Sequence, residues 1–179
     1  MPRKLGEKQP GSWDYNVDYE KAYRELTKLL HAESKGFTKC YVAISLIALR
    51  NGSRIGEAIE AFKEFLKTSK VKIYVRVEKH KKDDYRLMVI PKEIVEEDST
   101  TCTTLIDKDK DVIRVNVNKY LHRRLRINAH SLRYAFITYM LRKGVSPSII
   151  AAITGHKNLN MILKYTERKE VEKVLEEFS

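Results

Sequence analysis

Between His130 and Tyr165 the chain reads HSLRYAFITYMLRKGVSPSIIAAITGHKNLNMILKY, which sets two histidines, an arginine and a tyrosine among apolar positions at helical spacing. His130 and Arg133 are three apart and share one face of any helix that carries them. His156 follows a Thr-Gly pair, and Tyr165 comes nine residues later. No Asp or Glu occurs from Val112 through Thr166, so nothing in the local sequence neutralises the cations. Arginine without a carboxylate, beside imidazoles that can move a proton, suits a phosphate.

Arg54, far upstream, opens an amphipathic segment, SRIGEAIEAFKEFL, whose inward positions are Ile55, Ala58, Ile59, Phe62 and Phe65. At a helix start an arginine meets the positive end of the dipole, and as a functional residue it would share a bound anion with the helix N-terminus. Ser53 is placed to cap that helix. Before it, a helix over residues 17–34 is followed by a strongly apolar one, capped by Thr38 and stopped near Asn51-Gly52, which reads as a buried central helix.

Residues 71–77 and 86–90 alternate apolar and polar, and the polar stretch between them predicts a β-hairpin whose tip carries Lys79, Lys81 and Lys82. A lysine-rich tip is most often solubilising, and it could equally reach into a groove of DNA. Pro91 closes the strand, a short helix spans 92–97, and STTCTTLIDKDKD reads as a loop without an assigned role. Asn116 or Asn118 would cap a helix reaching Arg126 and bearing Arg123, Arg124 and Arg126. A helix from Ser131 to Arg142 follows, with Gly144 as its stop. Ser146-Pro147 starts another, which ends at Gly155. A turn or short helix then runs from Asn158 towards Tyr165. The tail, residues 167–179, is amphipathic, with the apolar stripe Val171, Val174, Leu175 and Phe178.

The chain of 179 residues carries 35 Lys and Arg against 24 Asp and Glu, a net charge of +11, which favours a polyanionic partner, most simply nucleic acid. A merely solvated basic surface is the plainer alternative. The length fits one domain, residues 17–179, behind a flexible lead-in over residues 1–16. No apolar run approaches a membrane span and the N-terminus lacks the apolar core of a signal peptide, so an intracellular location is the default. Cys40 and Cys102 form no zinc-ligand spacing, and two free, buried thiols are expected.

Arg54 within GSRIGE, His130 and Arg133 within HSLRYAF, His156 within TGHKN, and Tyr165 nine residues on together resemble the catalytic signature of the tyrosine recombinases, the integrase family. Taken singly, each residue would more often be structural: Tyr165 a packing residue, Arg54 or Arg133 a partner of Glu57. Their order and spacing reverse that judgement. The arginine motif is NGSRIGE where the commoner form is of the TGLRISE type.

The resemblance implies a mainly α-helical domain with a small antiparallel β-sheet. Its chemistry would break and rejoin DNA through a 3′-phosphotyrosyl intermediate without metal, ATP or cofactor. Arg54 and Arg133 would hold the phosphate, His130 would accept a proton, and His156 would bond the phosphate or assist proton transfer. Lys79, with Lys81 and Lys82 as rivals, would protonate the leaving 5′ oxygen, and Tyr165 would be the nucleophile. Lys81, Lys82, Arg123, Arg124, Arg126 and Lys157 would contact DNA.

Double-stranded DNA is the expected partner, with a homo-tetramer on DNA from a protein that could be monomeric alone. The tail helix would pack on a neighbouring protomer or fold back in cis. The setting would be nucleoid-associated in the cytoplasm, or a virus or mobile element acting on host DNA. Residues 1–16 are too short for the family's N-terminal core-binding domain, so the chain reads as a catalytic-domain fragment or a minimal enzyme. A type IB topoisomerase-like activity and a non-catalytic DNA-binding regulator are the alternatives.

Overall fold

A computed structural model describes residues 17–33, 36–163 and 168–178. Helix α1 (Tyr19–Ala32) starts at Asp18, whose side chain accepts from Lys21 N at 2.7 Å. Helix α2 (Thr38–Asn51) begins one residue after Phe37, so Thr38 is its first helical residue and not its cap. Ten of its residues, among them Val42, Ile44, Leu46, Ile47 and Leu49, are buried. An unbroken run of this kind leaves no polar stripe, and α2 is accordingly wrapped by its neighbours as the central helix of the core.

Helix α2 ends at Gly52, in the left-handed region at φ 57°. A Cβ at that position would sit 2.2 Å from the Phe136 ring, so both the turn and the packing require glycine. Helix α3 (Ile55–Thr68) follows at once. Its cap position is held by Arg54 and not by Ser53, which is wholly buried. Glu57 Oε1 accepts from Arg54 N at 3.3 Å and occupies one of the orphan donors of this helix start.

Strands β1 (Lys72–Arg76) and β2 (Tyr85–Val89) pair antiparallel, with Ile73 opposite Met88 and Val75 opposite Arg86. Alternation buries Ile73, Val75, Met88 and one charge, Arg86, on the inner face. Helix α4 (Lys92–Val95) follows Pro91. The stretch expected to be a plain loop contains a 3-10 helix over Thr100–Leu105 that buries Cys102 and Leu105.

The free-thiol expectation is corrected here: Cys40 and Cys102 form a disulfide that joins α2 to this 3-10 helix, with Cα atoms 5.6 Å apart. A sequence separation of 62 residues gave no hint of the pairing.

Helix α5 (Lys110–Leu125) starts earlier than expected, because Asp109 accepts from Asp111 N and Val112 N and acts as the cap. Asn116 and Asn118 therefore lie inside the helix. Asn118 instead staples α5 to the next helix, its Oδ1 accepting from Ala129 N at 3.0 Å. Helix α6 (Ala129–Arg142) is capped by Asn128, and α7 (Pro147–Thr154) by Ser146 with Pro147 in its first turn. Helices α8 (Leu159–Leu163) and α9 (Arg168–Glu177) complete the order. Along α9, Val171, Val174, Leu175 and Phe178 are exposed, Phe178 to 87%. The architecture is mainly helical with one small antiparallel sheet, as expected from the sequence.

Candidate functional site

Four separate elements bring cations and imidazoles to one place. Arg54 comes from the α2–α3 junction, Lys79 from the turn after β1, His130 and Arg133 from α6, and His156 from the residue after the left-handed Gly155 that ends α7. Arg54, Lys79 and His130 line a cleft of about 320 Å³ together with Ile55, Glu78, Arg114, Asn118, Asn128 and Ala129. Lys81 and Lys82 are exposed and lie outside that lining, so Lys79 is the hairpin lysine at the cleft. Arg123, Arg124, Arg126 and Lys157 are exposed, the three arginines at the C-terminal end of α5. Tyr165 lies outside the described residues.

Arg133 is nearly enclosed, at 2% exposure. Its Nη1 donates to the Gly52 carbonyl at 3.2 Å, and its Nη2 lies 3.2 and 3.1 Å from the two ring nitrogens of His156. Burial, then the charge of Arg54, lowers its pKa to about 9. It thus remains charged at neutral pH but at an electrostatic cost that an anion would relieve.

The tautomer of His156 follows from its neighbour. Thr154 Oγ1 donates its single proton to the Ile150 carbonyl at 2.8 Å, so across the 2.6 Å contact with Nδ1 it must accept. That places the imidazole proton on Nδ1, while Arg133 Nη2 lies nearly equidistant from the two ring nitrogens, against the ring itself. Burial, then Arg133, Arg54, Arg86 and His130, lowers the His156 pKa to about 3. His130 is also held below its ordinary value, by partial burial at the cleft wall and then by Arg133, Lys79 and Arg54. Its outer side stays open to solvent, and its ring meets Tyr134 edge-on at 4.9 Å between centroids. Both imidazoles are consequently neutral near pH 7.

Behind these groups stands a residue that sequence reasoning missed. Arg86 Nη2 donates to the Asn51 carbonyl at 2.5 Å, and Nη1 lies 3.4 Å from the Thr154 carbonyl and 3.3 Å from Glu57 Oε1. One side chain thus ties the end of α2, the start of α3 and the end of α7. Glu57 in turn is 3.5 Å from Arg54 Nη1. The signal was present as an arginine at an inward position of a strand, where a charge demands a buried partner. Gly155 lets the hairpin base approach α7, since a Cβ there would sit 3.0 Å from Val77 Cγ1.

The fold is that of a tyrosine recombinase catalytic domain. The profile of the phage integrase family matches residues 19–172, and the chain belongs to that family. Over 168 residues it is 38% identical to ORF241 of Acidianus two-tailed virus, provisionally named an integrase, covering 92% of this chain and 68% of that one. Over 161 residues it is 32% identical to V10 of Sputnik virophage, which carries the same provisional name, covering 76% and 70%. Among solved structures it resembles XerH site-specific recombinase bound to its difH substrate before cleavage, with a TM-score of 0.60 at 16% identity. That likeness is one of fold. It covers 89% of this chain, which spans about half of the recombinase, 52%.

Proposed function

We propose that this chain is the catalytic part of an integrase or site-specific recombinase that cuts and rejoins double-stranded DNA through Tyr165. The observation that supports this reading is the convergence of Arg54, Lys79, His130, Arg133 and His156 on one site from four elements. The buried carboxylate beside them, Glu57, is already shared between Arg54 and Arg86. An incoming phosphate is therefore the natural counter-charge.

Arg54 and Arg133 hold the non-bridging oxygens and stabilise the charge of the pentacoordinate transition state. Tyr165 Oη forms a bond to phosphorus as the bond from phosphorus to the 5′ oxygen breaks. The phenolic proton passes to neutral His130, and Lys79 Nζ protonates the departing 5′ oxygen. The phosphate raises the depressed pKa of His156, whose protonated Nε2 then donates to it. The 3′-phosphotyrosyl ester replaces the DNA ester, so a 5′-hydroxyl can attack it and release Tyr165 without an external energy source. Assembly as a tetramer on DNA, with the exposed α9 stripe against a neighbour, belongs to the same reading, as does a viral or mobile-element setting.

The test is a DNA substrate that loses its 5′ fragment after cleavage and so traps the adduct. The wild-type chain should become covalently attached, and Tyr165→Phe should not. Equal adduct from both proteins, or none from the wild type, would overturn the assignment.

A further inference from the structure

Lys79 sits at φ 65°, a left-handed conformation that a lysine adopts at some energetic cost. Its side chain is exposed and forms no ion pair among the described residues, so the placement of its backbone sets the point from which the long, flexible arm reaches. The residue just before it is held on three sides. Glu78 N donates to Glu57 Oε2 at 3.4 Å. Glu78 Oε1 accepts from Arg114 Nη2 at 2.8 Å and lies 3.6 Å from Lys110 Nζ, both on α5. The pair rests on the bare Cα of Gly56: a Cβ there would lie 1.8 Å from Glu78 Oε1 and 2.5 Å from Arg114 Nη2.

We propose that Glu78 and Arg114, seated over Gly56, form a clamp that positions Lys79 in the cleft. The clamp joins the hairpin turn to the first turn of α3, which carries Arg54 at its cap, and to α5. It fits NGSRIGE, which has glycine where the commoner pattern places serine after the isoleucine: a serine Cβ would displace the Glu78 carboxylate from its seat. Glu78 and Arg114 are positioning residues, acting through Lys79.

The inference rests on Lys79 as the acid for the leaving group, and the experiment separates the two. Cleavage is timed on ordinary DNA and on DNA whose scissile 5′ oxygen is replaced by sulfur, a leaving group that needs no proton. On ordinary DNA Lys79→Ala should be slower by roughly 100-fold or more, as for loss of a general acid. It should approach the wild type on the sulfur substrate. Glu78→Gln and Arg114→Gln should lose roughly 10–100-fold on ordinary DNA, the scale of a misplaced catalytic group. They too should recover on sulfur.

Gly56→Ala keeps every charge but displaces Glu78, and should give the same sulfur-rescued pattern if Arg114→Gln proves too unstable to assay. Rescue of Lys79→Ala without rescue of the clamp variants would overturn the clamp alone and make Arg114 a direct ligand of DNA or a merely structural residue. Failure to rescue Lys79→Ala would overturn the acid assignment and the clamp with it.

Discussion

Arg86 Nη1 lies 3.3 Å from Glu57 Oε1, and the two side chains are 3% and 0% exposed. This ion pair is the hub behind the cleft, because Glu57 also faces Arg54 and the turn leading to Lys79. Burial pushes the Arg86 pKa down, and Glu57 opposes that shift. The carboxylate therefore keeps a cluster of cations from repelling one another apart.

Glu57→Gln should destabilise the chain by roughly 3–5 kcal/mol, the cost of leaving a buried charge without its partner. Urea denaturation measures it. Replacing both partners, Glu57→Gln with Arg86→Met, should recover part of the loss, because no uncompensated charge remains. A double variant less stable than Glu57→Gln alone would show that the two do not act as a pair. Sulfate should raise the midpoint of Glu57→Gln more than that of the wild type, by supplying the missing anion.

The depressed histidines set an acid dependence. His156 titrates near 3 in the folded chain and His130 below its ordinary value, while in the unfolded chain both return to about 6.5. Above pH ~6.5 both states are neutral and nothing is lost. As the pH falls below that, the unfolded chain takes up protons that the folded chain refuses, so stability drops towards pH 3. Melting curves between pH 7.5 and 5.5, above the main carboxylate range, should show this decline, and His156→Gln should flatten it. A bound phosphate analogue should reduce the slope, since an anion beside Arg133 lets the imidazoles accept protons in the folded state.

Local signals made most of the helices legible in advance, and the candidate residues Arg54, Lys79, His130, Arg133 and His156 come together in the fold. Asn51-Gly52, Ser146-Pro147 and the alternating strands each carry their structural reason within a few residues. What stayed hidden depends on pairs distant in sequence. Glu57 and Arg86 are 29 residues apart, Glu78 and Arg114 36 apart, and no periodicity relates them. The start of α5 is hidden in the sequence because the charged stretch DKDKD, which holds its cap Asp109 and first two residues, resembles a solvated loop, and the Val and Ile residues that follow suit a strand as well as a helix. Ser53 looked like a cap by residue type, but the chain turns inward there and buries it, leaving Arg54 at the cap.

Opening the Cys40–Cys102 bond should cost stability without disturbing the cleft. Closing a loop of this separation, 62 residues, restricts the unfolded chain by roughly 4 kcal/mol on the chain-entropy account. Cys40→Ser, or reductant added to the wild type, should lower the urea midpoint to the same extent. Covalent adduct formation at a temperature where both forms are folded should be unchanged. A loss of adduct under those conditions would mean that the 3-10 helix at Cys102 supports the site directly.

The exposed cations should divide cleanly from those in the cleft when DNA binding is measured against salt. Lys81, Lys82, Arg123 and Lys157 are exposed and have no carboxylate partner among the described residues, whereas Arg124 lies 3.8 Å from Glu33. Each lysine or arginine that meets a backbone phosphate releases counterions, and its loss should reduce the slope of log affinity against log salt by about 0.9. Lys81→Ala, Lys82→Ala and Arg123→Ala should each lower that slope while leaving the cleavage rate at saturating DNA near wild type. Arg133→Ala should do the reverse: one buried guanidinium adds little to a long binding surface, but its loss removes charge stabilisation in the transition state and should slow cleavage by roughly 100-fold or more. Fluorescence anisotropy across a salt series, paired with single-turnover adduct formation, reads both quantities on the same proteins. If Arg123→Ala leaves the salt slope untouched, the C-terminal end of α5 does not face the DNA.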